Sequence, residues 1–537
     1  MSAFEHSLLL LLAIAALSVI AGLLPVPRPI VYVLGGVGFG YLPGFPRIEL
    51  NPNFFFVCFL PPLLFSDGWL MPLREFRRAR RSILLLATGL VVLTTLVVGF
   101  VAHAVIPGLP LAMAFALGAV ISPTDAVAVE AITGRLQVPT RVTIVLKGES
   151  LMNDATGLVA FKFALAAMAI GSVSARDITT TFLLLAIGGL ALGTLISFAV
   201  GKLRDVLQHV GGEDRFVEIT LSLLTPYAAY LAGEAAHVSG ILAVVAAGLY
   251  AGWRDPLRMN ADTRQLAWSV WSTVLFWLNG LAFVLLGLQF PHLLAAVGSD
   301  YTWSQLVGYA GLVAGVAIVL RIAWFFPGAY LPFVFSRRVR TTEVRPPWRT
   351  ILVGGWAGMR GTVTLAAALS IPLALQNGQP YPARGLVIFL SFAVIAITLL
   401  LQGTTLEWLI KQLGLRGDGL REREEQMART AAVQAGLQAL REFSPPASRP
   451  EHAASLGHVI SEYEQRLAEL VEEGSKRSNA HERRESERRY RLAALQAERR
   501  TVNDLWRQRK IMDEVHRPLQ HLLDHEERML RAEGRSR

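Results

Sequence analysis

Thirteen times between residues 8 and 410 the sequence returns to an apolar run of roughly the length that crosses a bilayer as a helix. One crossing needs about 20 predominantly apolar residues. The runs fall near 8–25, 29–45, 53–71, 82–106, 111–131, 141–170, 180–203, 216–234, 238–252, 266–290, 303–331, 350–374 and 384–410. Within lipid every backbone polar group must be satisfied inside the protein, so only helices and closed barrels span it. Continuous apolar runs of this length, without strict alternation, specify helices. The expected fold is therefore an all-α polytopic membrane protein with thirteen transmembrane helices.

Charge is distributed to match. Residues 411–537 hold 25 Lys/Arg and 22 Asp/Glu, whereas the first 410 hold 26 and 19. This divides the chain into a transmembrane domain, 1–412, and a charged helical tail, 413–537. The basic residues of the first part concentrate in alternate loops: "REFRRARR" (74–81), Arg135 to Lys147, Lys202 to Arg215, Arg254 to Arg264 and "SRRVRTTEVRPPWR" (336–349). Lys and Arg are enriched on the cytoplasmic side, so with thirteen crossings the N-terminus is expected outside and the tail in the cytoplasm of a cell (inner) membrane protein. The net charge of +10 thus reads as membrane topology and not as a nucleic-acid surface. Cys58 stands alone, which excludes an internal disulfide. Glu5 and His6 precede the first apolar run in place of a basic n-region, so that run is expected to be a retained span.

Three polar stretches interrupt the oily background: "SPTD" (122–125) in the fifth run, "GESLMND" (148–154) in the sixth and "GMRGT" (358–362) in the twelfth. The fifth and twelfth runs traverse the membrane in opposite senses. Each carries helix-weakening residues, Pro123 in one and Gly354, Gly355, Gly358 and Gly361 in the other. Paired discontinuous helices of opposite direction mark an inverted-repeat transporter with its site near the midplane. The repeats would be runs 1–6 and 8–13, with run 7 as connector.

Ionisable residues at such depth are costly and therefore functional candidates. A carboxylate withdrawn from water is harder to ionise, and one so shifted exchanges protons near neutral pH. A sodium ion is a hard cation that takes carboxylate, amide, hydroxyl and carbonyl oxygens. Asp154, Asp125, Asn153, Thr124 and carbonyls freed by Pro123 can supply them. One site that holds either a proton or a cation, opened alternately to each side, is an exchanger. Arg360 is always charged and cannot shuttle protons; its expected role is structural, in an ion pair with Glu149. Lys162 and Arg321 either pair with acidic residues or snorkel. Asp67, near the end of the third run, is an accessory ligand or a solvated residue. The alternative function is a cation channel without obligatory proton coupling. A membrane enzyme is disfavoured, since no His/Cys cluster or Ser-His-acid arrangement lies near the midplane, and no cofactor is expected beyond the transported sodium ion and proton.

"SPTDAVAV", "LKGESLMNDATGLVAF" and "GGWAGMRGTVTLAAALSIP" together resemble the signature segments of the monovalent cation:proton antiporter-1 family, the NhaP-like sodium/proton exchangers. The resemblance covers essentially the whole membrane domain. It implies a thirteen-helix homodimer with a dimerisation domain and a mobile six-helix core working by an elevator-like motion. By the family pattern the Asn-Asp pair is Asn153–Asp154, the Thr-Asp of the unwound helix is Thr124–Asp125, and the core ion pair is Glu149–Arg360. Many members place an acidic residue in the third segment just before a small residue and Gly. Here Ser66 holds that place and Asp67 follows it. Asn-Asp members exchange one cation for one proton, so the resemblance also implies electroneutral transport, serving pH and sodium homeostasis. In the tail, 430–443 has an amphipathic helical period, "SPPASRP" (444–450) breaks it, and 459–534 reads as charged helices, a solvated helical hairpin.

Overall fold

A computed structural model describes residues 3–24, 26–42, 56–125, 128–130, 138–170, 175–212, 214–298, 300–335, 337–342, 345–374, 379, 381–415, 420–442, 450–473, 479–508, 510 and 513–535. Of the break expected at 444–450 all but Pro450 lies outside these residues, as do residues 135–137 of the basic loop from Arg135 to Lys147. The chain forms two compact units, Met1–Asp418 and Gly419–Arg537.

Apart from one β-bridge residue at Ala374, the regular elements among the described residues of the first unit are helices. Its elements are α1 (Ala3–Leu23), α2 (Arg28–Tyr41), α3 (Leu60–Trp69), α4 (Leu73–Leu84), a π-helical turn (Leu85–Leu90), α5 (Val91–Val105), α6 (Leu111–Ile121), α7 (Thr140–Ile170), α8 (Ala175–Gly211), α9 (Arg215–Ala235), α10 (Gly240–Arg258), α11 (Ala261–Leu288), α12 (Phe290–Val297), α13 (Trp303–Phe335), α14 (Arg337–Thr342), α15 (Trp348–Trp356), α16 (Thr362–Leu369) and α17 (Arg384–Gln412). Among the described residues, seven helical runs are long and apolar enough to cross a membrane: Leu73–Val105, Thr140–Met168, Leu183–Gly211, Arg215–Ala235, Ala261–Val297, Trp303–Phe335 and Arg384–Gln412. Shorter apolar helices cover Leu8–Leu23, Phe56–Trp69 and Leu111–Ile121.

All five segments read as basic loops are in fact partly helical. "REFRRARR" lies within α4, which turns Ala79 and Ile83 inward against Ile144 of α7 and leaves its arginines to the other side. Helix α10 likewise runs on to Arg258, where the loop was expected from Arg254. Long basic side chains have good helix propensity, and ion pairs such as Arg204–Asp255 (3.1 Å) and Arg258–Asp205 (2.9 Å) hold α8 to α10 there.

The interior is built by close backbone approaches. A Cβ on Gly36 of α2 would overlap the Val284 carbonyl of α11, with Gly287 Cα at 3.0 Å, so glycine is what lets α2 and α11 meet. Gly157 of α7 similarly faces Pro123, whose Cδ would lie at 3.0 Å from an added Cβ. That contact seats α7 directly on the break after α6.

The second unit consists of α18 (Leu420–Glu442), α19 (Pro450–Glu473), α20 (Asn479–Arg507) and α21 (Asp513–Arg535). They pack as two pairs, α18 with α19 and α20 with α21. Arg441–Glu464 (2.7 Å) ties the first pair. In the second, Arg499 binds Asp524 (2.6 Å) and Glu527 (2.5 Å), and Trp506 stacks on His516 at 4.9 Å. Hydrogen bonds from Arg499 and Arg531 hold the Glu527 carboxyl below the usual range.

Candidate functional site

Helix α6 ends at Ile121, and residues 122–125 continue without helical hydrogen bonding. Helices α15 and α16 are separated in the same way by residues 357–361. The two unwound stretches touch: the Asp125 amide donates to the Met359 carbonyl at 2.8 Å. Unwinding leaves carbonyls and amides that the helix would have used itself, and each stretch supplies a partner for the other.

Gly361, the residue preceding α16, lies against Asp125; a Cβ there would overlap the carboxylate. Its backbone is extended (φ −127°, ψ −162°), so the glycine is required by space and not by conformation. The start of α16, with its unsatisfied amides and positive dipole end, therefore faces Asp125.

The side chains of α7 hold the first break in place. The Ser150 hydroxyl donates to the Thr124 carbonyl at 2.7 Å. Asn153 Nδ2 donates to the Thr124 hydroxyl at 2.9 Å and to Glu149 Oε1 at 3.3 Å, and the Thr124 hydroxyl donates to the same carboxylate oxygen at 3.3 Å. Glu149, Asn153 and Thr124 are all buried.

The expected ion pair between Glu149 and Arg360 is not formed. Arg321 of α13 takes that place, with both terminal nitrogens on the two carboxylate oxygens at 2.5 and 2.8 Å. Both side chains are 1% exposed. Arg321 also donates to the Ala357 carbonyl (3.3 Å) and lies over the Phe325 ring at 4.8 Å. Arg360, equally buried, serves the backbone instead: Nε donates to the Ile121 carbonyl at 2.9 Å, and a terminal nitrogen donates to the Gly358 carbonyl. The physical reason is the position of its partner carbonyls. Ile121 closes α6, and a guanidinium at the negative end of a half-helix satisfies an orphan carbonyl and the dipole together.

A polar cavity of about 30 Å³ opens beside the crossing, lined among others by Asp67, Thr124, Asp125, Ser150, Asp154, Asn279 and Thr364. On the same measure one water needs about 10–15 Å³, so the cavity has room for a small ion with one or two waters. Of the residues expected at the site, Asp154, Asp125 and Thr124 are on the cavity wall, and Asp67 joins them from α3. Asn153 is not on the wall but behind it, in the network joining Glu149 to Thr124. Ser66 is buried, donates to the Leu63 carbonyl at 2.7 Å and is not on the wall.

A family model, sodium/hydrogen exchanger, transmembrane, matches residues 8–412. The chain belongs to the sodium/hydrogen exchanger family. This exchanger is 37% identical over 519 residues to a sodium, potassium, lithium and rubidium/H(+) antiporter of Bacillus pumilus, a match covering 95% of this chain and 75% of that one. It is 34% identical over 549 residues to a Na(+)/H(+) exchanger of Escherichia coli, covering 99% and 100%. Its fold is similar to that of the sodium proton antiporter MjNhaP1 of Methanocaldococcus jannaschii, with a TM-score of 0.58 at 22% identity over 77% of this chain and 99% of that one. Within this exchanger, three wall or support residues had not been singled out from the sequence as site residues: Arg321, Ser150 and Asn279. Ser150 sits inside the polar motif itself, and Asn279 is the sole amide between 266 and 288. Arg321 was visible as an intramembrane charge, but nothing in its neighbourhood named its partner.

Proposed function

We propose that the protein exchanges sodium for a proton across the membrane by alternating access. The observation that carries this reading is the small cavity at the contact of two unwound helices, with Asp154 and Asp125 on its wall. Asp154 takes the proton in one half of the cycle and, with Asp125 and the Thr124 oxygens, the cation in the other. The Arg321–Glu149 pair is internally neutral and stays outside the exchange; it fixes Thr124 and Asn153 so that the unwound stretch keeps its shape. The printed names of the Bacillus relatives support extending the cation set to potassium, lithium and rubidium.

The finer architecture belongs to the same proposal. Thirteen crossings in two inverted repeats place the N-terminus outside and the tail in the cytoplasm, with the membrane unit at 1–412 and the tail at 413–537. The protein works as a homodimer in the cell membrane, moves one cation per proton, and serves pH and sodium homeostasis. Purified protein in liposomes loaded with a pH-sensitive dye tests the central claim. A sodium gradient should drive proton movement in the opposite direction; sodium flux with no coupled proton flux would establish a channel instead.

A further inference from the structure

We infer that Asn279 is a cation ligand and sets this exchanger's preference among monovalent cations. The inference rests on the exchange reading above and adds to it a residue outside both unwound stretches.

The cavity wall has two origins. Asp125 and Asp154 come from the break after α6 and from α7, whereas Asp67 and Asn279 come from α3 and α11. Asn279 is half-buried, and its amide has no hydrogen-bond partner within the protein among the described residues. A side-chain amide in an apolar helix carries a desolvation cost unless it is used. Here the surface it lines is the cavity.

Its helix is a rigid mount. Gly36 and Gly287 bring α2 and α11 into backbone contact, Trp271 donates from Nε1 to the Ser222 hydroxyl at 3.0 Å, and the Trp271 ring stacks on Phe65 of α3 at 5.4 Å. Helices α3 and α11 thus hold Asp67 and Asn279 on one backed wall. A ligand on a packed helix keeps its position better than one on a loop.

The chemistry follows from charge. A cation in this cavity keeps at most one or two waters and needs protein oxygens for the rest of its shell. The Asn279 carbonyl oxygen provides one without adding charge. A proton on Asp154 needs no such ligand. Asn279 therefore favours the cation-loaded form alone, and a fixed oxygen favours the small ions, lithium and sodium, over potassium and rubidium.

The test is proton flux driven by each of the four cations across a range of pH in proteoliposomes, using wild type, Asn279→Ala and Asn279→Ser. Asn279→Ala should raise the apparent KM for sodium and lithium about tenfold, at the low end of what losing a group that supports a metal site costs. The KM for potassium and rubidium should rise less than threefold, and maximal rates should stay within twofold. Protons compete with cations at Asp154, so KM rises as pH falls; that curve should shift upward without moving along the pH axis. Asn279→Ser keeps an oxygen and should fall between the two, with a KM for sodium about threefold above wild type. It also carries the test should the Ala chain not fold. Four unchanged KM values, an equal rise for all four cations, identical Ala and Ser values, or a curve displaced along the pH axis would each overturn the inference. A wild-type protein without sodium-driven proton flux would instead remove the exchange reading itself, so the two failures are distinct.

Discussion

Glu149 is tolerated in the interior because a bidentate arginine neutralises it and two neighbouring side chains donate to the oxygen nearest them. Removing one partner of such a pair is costly, since the other charge stays buried alone. We predict that Arg321→Ala destabilises the protein by roughly 3–5 kcal/mol, seen as a clear fall of the thermal midpoint in detergent. Glu149→Gln combined with Arg321→Met should recover part of it; an unchanged midpoint in the single variant would refute the pair. Asp154→Asn is expected to separate chemistry from folding, because the amide keeps the volume and cannot cycle a proton. The variant should be monodisperse with a near wild-type midpoint and no sodium-driven dye response; a normal response would remove Asp154 from the mechanism. The sequence made Glu149 legible as a buried ion-pair member and Asp154 as a candidate carrier, because carboxylates in an apolar run demand an explanation. It paired Glu149 with the wrong arginine, Arg360 in place of Arg321. Arg321 and Arg360 both lie within apolar segments, and choosing between them requires knowing how α13 and α15 pack on α7.

At the scale of elements, the two breaks were readable from Pro123 and the glycines of 354–361, since each weakens the helix at a known place. What could not be read is that the breaks meet, a tertiary fact carried by the Asp125–Met359 hydrogen bond. The π-helical turn at Leu85–Leu90 was equally hidden, because its residues are ordinary helix formers and the extra residue per turn has no composition. The contact of the breaks yields a prediction. Gly361→Ala would press its methyl group into the Asp125 carboxylate while the backbone conformation remains allowed. Exchange should therefore drop at least tenfold with the protein still folded, the loss appearing in the maximal rate and the cation KM together. Wild-type flux in this variant would show that Asp125 has room to move and that the crossing does not require a glycine at 361.

For the molecule as a whole, the decisive quantity is the charge moved per cycle. The Glu149–Arg321 pair is neutral and locked, and Asn153 beside Asp154 offers an amide where a second carboxylate would add another exchangeable charge. If one proton and one sodium ion alternate on Asp154, the loaded site carries the same charge in both directions and no net charge crosses. Membrane potential, worth about 2.3 kcal/mol per elementary charge per 100 mV, then has nothing to act on. We predict that setting the liposome potential with a gradient of a permeant anion, thiocyanate, which is not a transported cation, leaves sodium-driven proton flux unchanged. The null-flux condition should fall where the sodium and proton gradients are equal. Asp125 and Asp67 line the same cavity and make this a demanding test, since either could carry a second proton. A null point that moves with voltage would refute one-for-one exchange. Asp125→Asn and Asp67→Asn, assayed under the same imposed potential, would then identify the second carrier as the variant whose null point returns to the voltage-independent position.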